Sequence, residues 1–256
     1  MRRSIKLGRY IAADSAIHRL DPRAKIIAMI LYFAMILTIH SLIGLAVLAA
    51  GSLFIISMTR IPFKAYLRSL RPLRYLIAFI FLFPVLFDEH DLAANLVQGT
   101  VAAGRMTLFI LFSAVLTFTT PTARLTQGLE RLLQPFRFLG VSPEKWSMMI
   151  NLSLRFIPTI IDEAKIILKA QASRGADFAE RSWKDKAKVL ITLLVPVTAG
   201  TFRRAQELTD SMEARGFVPG MPRTSYHQLT WSRMDSGFVL CFAVVFMLAL
   251  AWRVLM

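Results

Sequence analysis

Residues 21–39 read DPRAKIIAMILYFAMILTI, and this stretch decides the fold class. Asp21 is a favourable helix N-cap, and Pro22 is tolerated at the first helical position. The run 26–39 that follows is apolar almost throughout, which predicts a helix inside a bilayer. Because this run is shorter than the ~20 residues that a spanning helix needs, flanking residues must also belong to the helix.

Four more apolar runs follow along the chain and predict further spans. They lie at residues 41–59, 75–87, 106–119 and 238–252. Only His40 separates the second run from the first, so the two predict a tight transmembrane hairpin. The segment 62–71 has apolar residues on one face and lysine and arginine on the other, which is typical of an interfacial amphipathic helix. We therefore predict an all-α polytopic membrane protein with about five transmembrane helices.

The composition agrees with a membrane protein and argues against two other classes. Hydrophobic residues make up 55% of the 256 positions, and the mean hydropathy is +0.54, which is high for a soluble domain. The net charge of +15 does not indicate nucleic-acid binding, because the lysines and arginines are segregated from the apolar runs as membrane topology requires. Cys241 is the single cysteine, so no disulfide framework can form within the chain.

The distribution of basic residues predicts the orientation. Residues 1–25 contain seven lysines and arginines and residues 60–74 contain five, whereas the turn at His40 contains none. The acidic loop that begins at Asp88 contains none before Arg105. Positive charge marks the cytoplasmic side of a membrane protein. We expect a multi-pass protein of a bacterial or archaeal cytoplasmic membrane, with its N-terminus in the cytoplasm.

The charge pattern also divides the chain into three parts. Residues 1–120 form a membrane region with four spans and the interfacial helix, residues 121–234 carry seventeen basic residues, and residues 235–256 form a last span. Punctuation within the middle part predicts one shorter helix from residue 122 and two long helices, at 142–175 and 182–216. Because these helices are apolar on one side and basic on the other, we expect them to lie along the cytoplasmic interface.

Two tripeptides end the two long helices of the middle part, namely Ser173-Arg174-Gly175 and Ala214-Arg215-Gly216. Each has two interpretations. Glycine after a helix accepts the left-handed conformation and a cation there meets the negative end of the helix dipole, which makes a simple C-cap. Alternatively, the arginine forms a charge-assisted bond with a carboxylate of a soluble partner. Pro158 and Pro196 lie inside the same two helices and predict a bend in each.

The segment 10–25, YIAADSAIHRLDPRAK, and the two arginine motifs together resemble the transmembrane T component of energy-coupling-factor (ECF) transporters, a branch of the ABC importers. The motif at 214–216 matches that family's Ala-Arg-Gly signature, and the motif at 173–175 departs from it by one hydroxyl group. The resemblance covers nearly the whole chain. It implies a non-catalytic coupling subunit in an importer of a vitamin or of a cobalt or nickel ion.

The resemblance also implies partners. Arg174 and Arg215 would each insert into a groove on one of two cytoplasmic ABC ATPase subunits, and these would bind ATP-Mg, so this chain would hold no cofactor of its own. The two long helices would be coupling helices that pass ATP-driven motion to a membrane-embedded substrate-binding S component. The residues suited to contact that component are Met148, Met149, Phe156, Phe178 and Met212, for which ordinary packing is the alternative interpretation.

Two other functions compete with this one. A conventional ABC importer permease forms its own pore and has one coupling loop beginning Glu-Ala-Ala; Glu163-Ala164 begins such a string, but Lys165 interrupts it. A membrane enzyme acting on lipid head groups would need clustered acids or histidines, whereas the cytoplasmic acids here are scattered among bases. The sequence has neither a GxxxxGK[ST] phosphate loop nor an HExxH motif, and the acidic turn 88–91 is a weak metal candidate. We therefore expect no catalytic, cofactor or metal site.

Overall fold

The computed structural model of the chain describes residues 10–87, 91–135, 143–173, 183–218 and 229–255. Most of these residues are helical and none of them lies in a β-strand, so the predicted all-α fold class is confirmed. The helices are α1 (Ala16–Arg19), α2 (Pro22–Thr38), α3 (Leu42–Met58), α4 (Phe63–Leu70), α5 (Arg74–Phe87), α6 (Leu92–Thr119), α7 (Thr122–Leu133), α8 (Pro143–Ser173), α9 (Trp183–Glu213) and α10 (Arg233–Leu255).

Three helical stretches in the described part of the chain are long and apolar enough to cross a membrane. They are Phe63–Phe87, in which a 3-10 turn joins α4 to α5, then Leu92–Thr119, and Arg233–Ala251. Helices α2 and α3, which correspond to the predicted hairpin, have 17 residues each. Each is therefore about 26 Å long, somewhat less than the ~30 Å hydrocarbon core of a bilayer.

Helix α6 begins at Leu92, so the prediction that the fourth helical span starts near residue 106 was wrong. Polar and small residues lower the hydropathy of its first half, but this half packs against other helices. Asn95 is buried, and a Cβ added at Gly99 would lie 2.5 Å from the carbonyl oxygen of Phe81 in α5. Small residues at such contacts let membrane helices approach closely, which a hydropathy count does not register.

Gly99 gives a direct test of this close approach. Gly99→Ala would place a methyl group against backbone atoms of α5, which cannot move aside as a flexible side chain can. We expect a loss of about 1–3 kcal/mol in the free energy of unfolding, the usual cost of overpacking, measured by thermal denaturation of the purified chain. Gly237→Ala is the control, since an added Cβ there has no neighbour within 4 Å. Equal unfolding midpoints for the two variants would contradict the proposed contact.

The larger of two compact units, called the membrane unit here, consists of residues 8–147 and 229–256 as far as they are described. Aromatic rings join its helices. Tyr32 of α2 stacks on Phe112 of α6 with 4.0 Å between ring centroids, and Phe242 of α10 meets both rings edge-on. A second cluster holds Tyr66 of α4, which is fully buried, against Phe118 of α6. These ring contacts place α2, α4 and α10 against α6.

The membrane unit extends past residue 120, where the charge pattern placed a boundary. Helix α7 belongs to it because Gly128 packs on the first turn of α2, where an added Cβ would lie 3.0 Å from Pro22. The second compact unit comprises residues 148–218 as far as they are described, and is called the helix-pair unit. It contains α8 from Met148 onward and α9.

A buried polar network joins the starts of α2 and α10. Asp21 caps α2 as predicted, because its Oδ1 accepts a hydrogen bond from the backbone N–H of Arg23 at 2.8 Å. Asp235, only 1% exposed, accepts hydrogen bonds from the backbone N–H groups of Asp21 and Ser232, both at 2.7 Å. The Arg23 guanidinium completes the network by pairing with the Asp21 carboxylate at 2.9 Å. The charges of these residues are thus satisfied inside the fold.

Two cationic side chains of the membrane unit, Lys25 and Arg105, form hydrogen bonds with neighbouring elements. Lys25, 5% exposed, donates from Nζ to Thr120 Oγ1 at 3.0 Å, which ties α2 to the end of α6. Arg105 of α6 donates from Nη2 to the carbonyl oxygen of Ile39 and lies 2.9 Å from His40 Nδ1. The C-terminal end of α6 is therefore tied to α2, and its middle is tied to the turn that follows α2.

Candidate functional site

Helix α9 ends in a Schellman motif formed by the second arginine tripeptide. Gly216 adopts φ +76°, and its N–H donates to the carbonyl oxygen of Glu213 at 2.9 Å. The N–H of Phe217 donates to the carbonyl oxygen of Met212 at 3.0 Å. This pair of bonds satisfies the last carbonyls of the helix and requires a left-handed residue at the position that Gly216 occupies. The simple interpretation of the glycine as a C-cap is thus correct for this motif.

The C-cap does not account for the side chain of Arg215. Arg215 is exposed, and no carboxylate in the described part of the chain pairs with it. The hydrogen-bonded turn fixes the backbone on both sides of the residue, so the arginine is presented from a rigid helix end. A guanidinium held in this way can form two parallel bonds with a carboxylate of another chain.

Gly216 allows a test of the rigidity of this helix end. In Gly216→Ala the methyl group strains the left-handed conformation by about 1 kcal/mol, so we expect amide hydrogen exchange in the last turn of α9 to accelerate about fivefold. Exchange measured by mass spectrometry reports this directly. Gly216→Asn is the control, because asparagine tolerates left-handed backbone better than alanine. Unchanged exchange in the alanine variant would mean that the cap does not hold the turn.

Only part of the first arginine motif lies in the described part of the chain. Helix α8 continues to Ser173, close to the predicted end, and Ser173 Oγ donates to the carbonyl oxygen of Lys169 at 3.1 Å. Arg174 and Gly175 of the motif, and Phe178 among the predicted contact residues, lie outside the described residues.

The predicted contact residues are partly brought together by the structure. Met148 and Phe156 of α8 and Met212 of α9 line one apolar groove of about 320 Å³ within the helix-pair unit. Leu152, Ile160, Ala205, Leu208 and Phe217 complete its apolar lining. Met149 does not line this groove, and it is 60% exposed. The groove therefore distinguishes two methionines that are neighbours in the sequence.

An ion pair that the sequence did not predict closes one end of the groove. Glu163 of α8 pairs with Arg204 of α9, at 2.9 Å between Oε2 and Nη2. A Cβ added at Gly200 would lie 2.5 Å from Glu163 Oε1, so the two helices pass closely here. Within α8 itself, Lys165 pairs with Asp162 at 2.7 Å, three residues away on the same helix. The missed signal is the glycine that precedes Arg204 by one helical turn.

Both prolines of the helix-pair unit lie inside long helices, as predicted. Pro158 is inside α8 and Pro196 is inside α9. Each proline removes a backbone N–H donor from its helix, and for that reason we predict a bend at each position. Within the described residues, no group of three or more histidine, cysteine, aspartate or glutamate side chains is arranged to hold a metal ion.

The fold and the site together define a class, namely helical membrane proteins that carry a pair of long amphipathic helices. The chain belongs to the family described as CbiQ, cobalt transport protein, whose profile matches residues 13–226. The recognition drawn from segment 10–25 and the arginine motifs is therefore confirmed.

Curated relatives support the same assignment over nearly the full length. The chain is 36% identical to the energy-coupling factor transporter transmembrane protein EcfT of Listeria innocua, with 93% of this chain and 94% of the relative aligned. It is 34% identical to EcfT of Bacillus subtilis, covering 94% and 96% respectively. It is 35% identical to EcfT of Limosilactobacillus fermentum over the whole of both chains. The chain is thus a membrane protein of the ECF transporter family.

Proposed function

We propose that this chain is the coupling subunit of an ECF-type ABC importer. It transmits the ATP-driven motion of two cytoplasmic ATPases to a membrane-embedded substrate-binding S component, for uptake of a vitamin or a transition-metal ion. The observation that carries the proposal is the exposed Arg215 at a rigid, Schellman-capped helix end. In this proposal ATP-Mg is bound by the partner ATPases, the chain itself is not an enzyme, and its N-terminus is cytoplasmic.

An arginine at position 215 suits an interface through which motion must be transmitted. Its planar fork forms charge-assisted, bidentate bonds with a carboxylate, and such bonds restrict direction as well as distance. A flexible lysine would bind as a point charge and would tolerate sliding of the partner. No carboxylate of the described residues pairs with Arg215, so its guanidinium can pair with an acidic groove on an ATPase.

The arrangement of α8 and α9 supports one joint for each of two ATPases. The groove lies between the first half of α8 and the second half of α9, and the Glu163–Arg204 pair closes it. From Glu163, α8 runs ten more residues to Ser173, or about 15 Å, away from the groove. From Arg204, α9 runs along the groove to Arg215. The two helix ends are therefore separated, as two separate ATPase contacts require.

The apolar groove of the helix-pair unit is the surface proposed for the S component. Met148 and Met212 lie at its lining together with Phe156. Methionine is unbranched and adapts its shape at low cost, so a methionine-lined groove can accept apolar helices of differing sequence. Motion of α8 relative to α9 would change the shape of this groove and would thereby reach the bound component.

The two adjacent methionines give a matched pair for testing the groove. We expect Met148→Ser combined with Phe156→Ser to weaken retention of the S component about 100-fold, since buried anchors of an interface contribute more than 1 kcal/mol each. Co-purification of the S component with the tagged chain measures this. Met149→Ser, which lies outside the groove, should retain the S component, and both variants should retain the ATPases. Equal losses from the groove and the control variants would contradict this assignment.

The proposed function is tested by isolating this chain from native membranes and identifying what accompanies it by mass spectrometry. We expect two ABC ATPase chains and a small hydrophobic membrane protein, and the substrate of that protein would name the cargo. ATPases accompanied by a soluble binding protein instead would support a conventional pore-forming permease. Recovery of the chain without any ATPase would contradict the coupling role.

A further inference from the structure

A second apolar groove, of about 470 Å³, lies within the membrane unit and takes no part in the proposed coupling. Its floor is α2, where Tyr32 and Met35 are almost fully buried. Its walls are α3 and α10, whose rim residues are largely exposed, as at Phe54 and Met234 with 66% and 68%. The walls thus expose apolar side chains on either side of a buried floor, which is the shape of an open groove facing apolar surroundings.

The length of this groove equals one leaflet of a bilayer. Along α3 its lining extends from Val47 to Met58, and along α10 from Met234 to Val245. Twelve residues of helix on each wall, or eleven helical rises, correspond to about 16 Å, close to half of the ~30 Å hydrocarbon core. A groove of this length that opens at one membrane surface would end near the middle of the bilayer.

The surface end of the groove is basic. Arg60 follows the last groove residue of α3, Arg233 precedes the first groove residue of α10, and Arg19 precedes Leu20 of the lining. Asp14 faces two of these arginines: it pairs with Arg19 at 2.9 Å, and its carbonyl oxygen lies 3.5 Å from Arg60 Nη1. The hydrogen bond from Arg19 lowers the pKa of the Asp14 carboxyl, so Asp14 stays ionised and cancels one cation. Asp21 and Asp235, next to the lining, are matched by Arg23 and Lys25, so Arg60 and Arg233 leave two positive charges at the mouth.

We infer that this groove is a binding site for an anionic phospholipid of the leaflet on the basic side of the membrane. One acyl chain lies in the groove between α3 and α10, and the negatively charged head group lies against Arg60 and Arg233. The length of one leaflet matches one extended acyl chain, and the net charge of the mouth favours a phosphate without a compensating cation. Under the proposed orientation this is the cytoplasmic leaflet.

Gly51 makes the groove testable without disturbing the fold. It lines the groove from α3, and an added Cβ would have no neighbour within 4 Å, so a larger side chain would fill the groove rather than clash. Gly237 of α10 is equally unobstructed but is absent from the groove lining. Gly51→Leu and Gly237→Leu are therefore a matched pair, and equal thermal unfolding midpoints would verify that both variants are folded.

The experiment uses the full chain in its purified transporter complex, reconstituted in phosphatidylcholine vesicles with a minor share of phosphatidylglycerol bearing a photoactivatable acyl chain. We expect cross-linked peptides from 47–58 and 234–245, strong loss of this labelling in Gly51→Leu, and native labelling in Gly237→Leu. Replacing Arg60 and Arg233 by glutamine should lower labelling by phosphatidylglycerol about fivefold for each charge removed, towards that of phosphatidylcholine carrying the same group.

Three outcomes would overturn the inference. Labelling spread evenly over all lipid-facing helices, and unchanged in Gly51→Leu, would mean ordinary bulk lipid. Equal labelling by phosphatidylglycerol and phosphatidylcholine would remove the role of the arginines. Cross-linking of Cys241, the single cysteine and a groove residue, to a membrane partner in the complex would assign the groove to a protein helix instead. None of these outcomes depends on whether the ATPases dock at Arg215.

Discussion

Exchange of Arg174 and Arg215 together for alanine is expected to abolish ATP-driven uptake while leaving the membrane unit folded. Arg215 is exposed and lies at a helix end of the helix-pair unit, so its loss removes no internal contact in the described part of the chain. Truncating one partner of a charge pair buried in an interface costs about 2–5 kcal/mol, which would weaken each proposed ATPase contact at least ~30-fold. Uptake by cells or vesicles and co-purification of the ATPases measure the effect.

Further variants separate charge from shape at the same joint. Arg215→Glu should be more harmful than Arg215→Ala, because two like charges would then face each other. Arg215→Lys keeps the charge but loses the planar fork and should restore uptake only in part. Arg203→Ala, an exposed arginine of α9 outside the motif, is the control and should transport normally. Normal assembly and full uptake in the double alanine variant would refute the coupling role of the motifs.

Replacement of Asp235 by alanine is expected to have the largest effect on stability. The carboxylate is 1% exposed and accepts two backbone hydrogen bonds of 2.7 Å, one from Asp21 and one from Ser232. Its removal leaves the buried N–H of Asp21 and the part-buried N–H of Ser232 without an acceptor, and takes a negative charge from beside Arg23 and Lys25. At about 1–3 kcal/mol for each buried donor, we expect a loss of roughly 3–5 kcal/mol in the free energy of unfolding.

Thermal denaturation of the purified chain tests this, with an expected fall of about 10 °C in the unfolding midpoint for a chain of this size. Asp235→Asn keeps an acceptor oxygen and should lose less. Asp14→Ala is the control, since Asp14 and its partner Arg19 are both largely exposed, and an exposed ion pair contributes little to folding. If Asp235→Ala and Asp14→Ala unfold at the same temperature, the buried network does not hold α2 to α10.

Several local features of the fold were predictable from the sequence because they depend on neighbouring residues alone. Asp21 caps α2 with Pro22 at the first position, Pro143 begins α8, and Trp183 begins α9, as the punctuation predicts. Gly216 takes the left-handed conformation that a C-cap requires. Capping and turn preferences act over three or four residues, so the printed order of residues contains them in full.

Other features could not be predicted because they depend on which helices meet. The early start of α6 was hidden by residues such as Gly99, whose small size serves the contact with α5. The partner of Glu163 is Arg204 on another helix, whereas pairs three or four residues apart were the only ones that sequence spacing could suggest. Sequence spacing likewise did not separate Met148, which lines the groove, from Met149, which does not.

The sequence by itself determined that this protein is an all-helical membrane protein with a pair of amphipathic helices. It also determined that the second of these helices is capped at Arg215 and Gly216. Hydropathy, charge placement and glycine at a helix end are local properties, and they specify those features without reference to the rest of the chain. Only the tertiary structure decided that the Asp235 carboxylate would accept a hydrogen bond from the backbone N–H of Asp21, 214 residues away. It also decided that the two apolar grooves would form between helices. The physical reason is that a buried polar bond or a groove exists only where packing brings distant surfaces together.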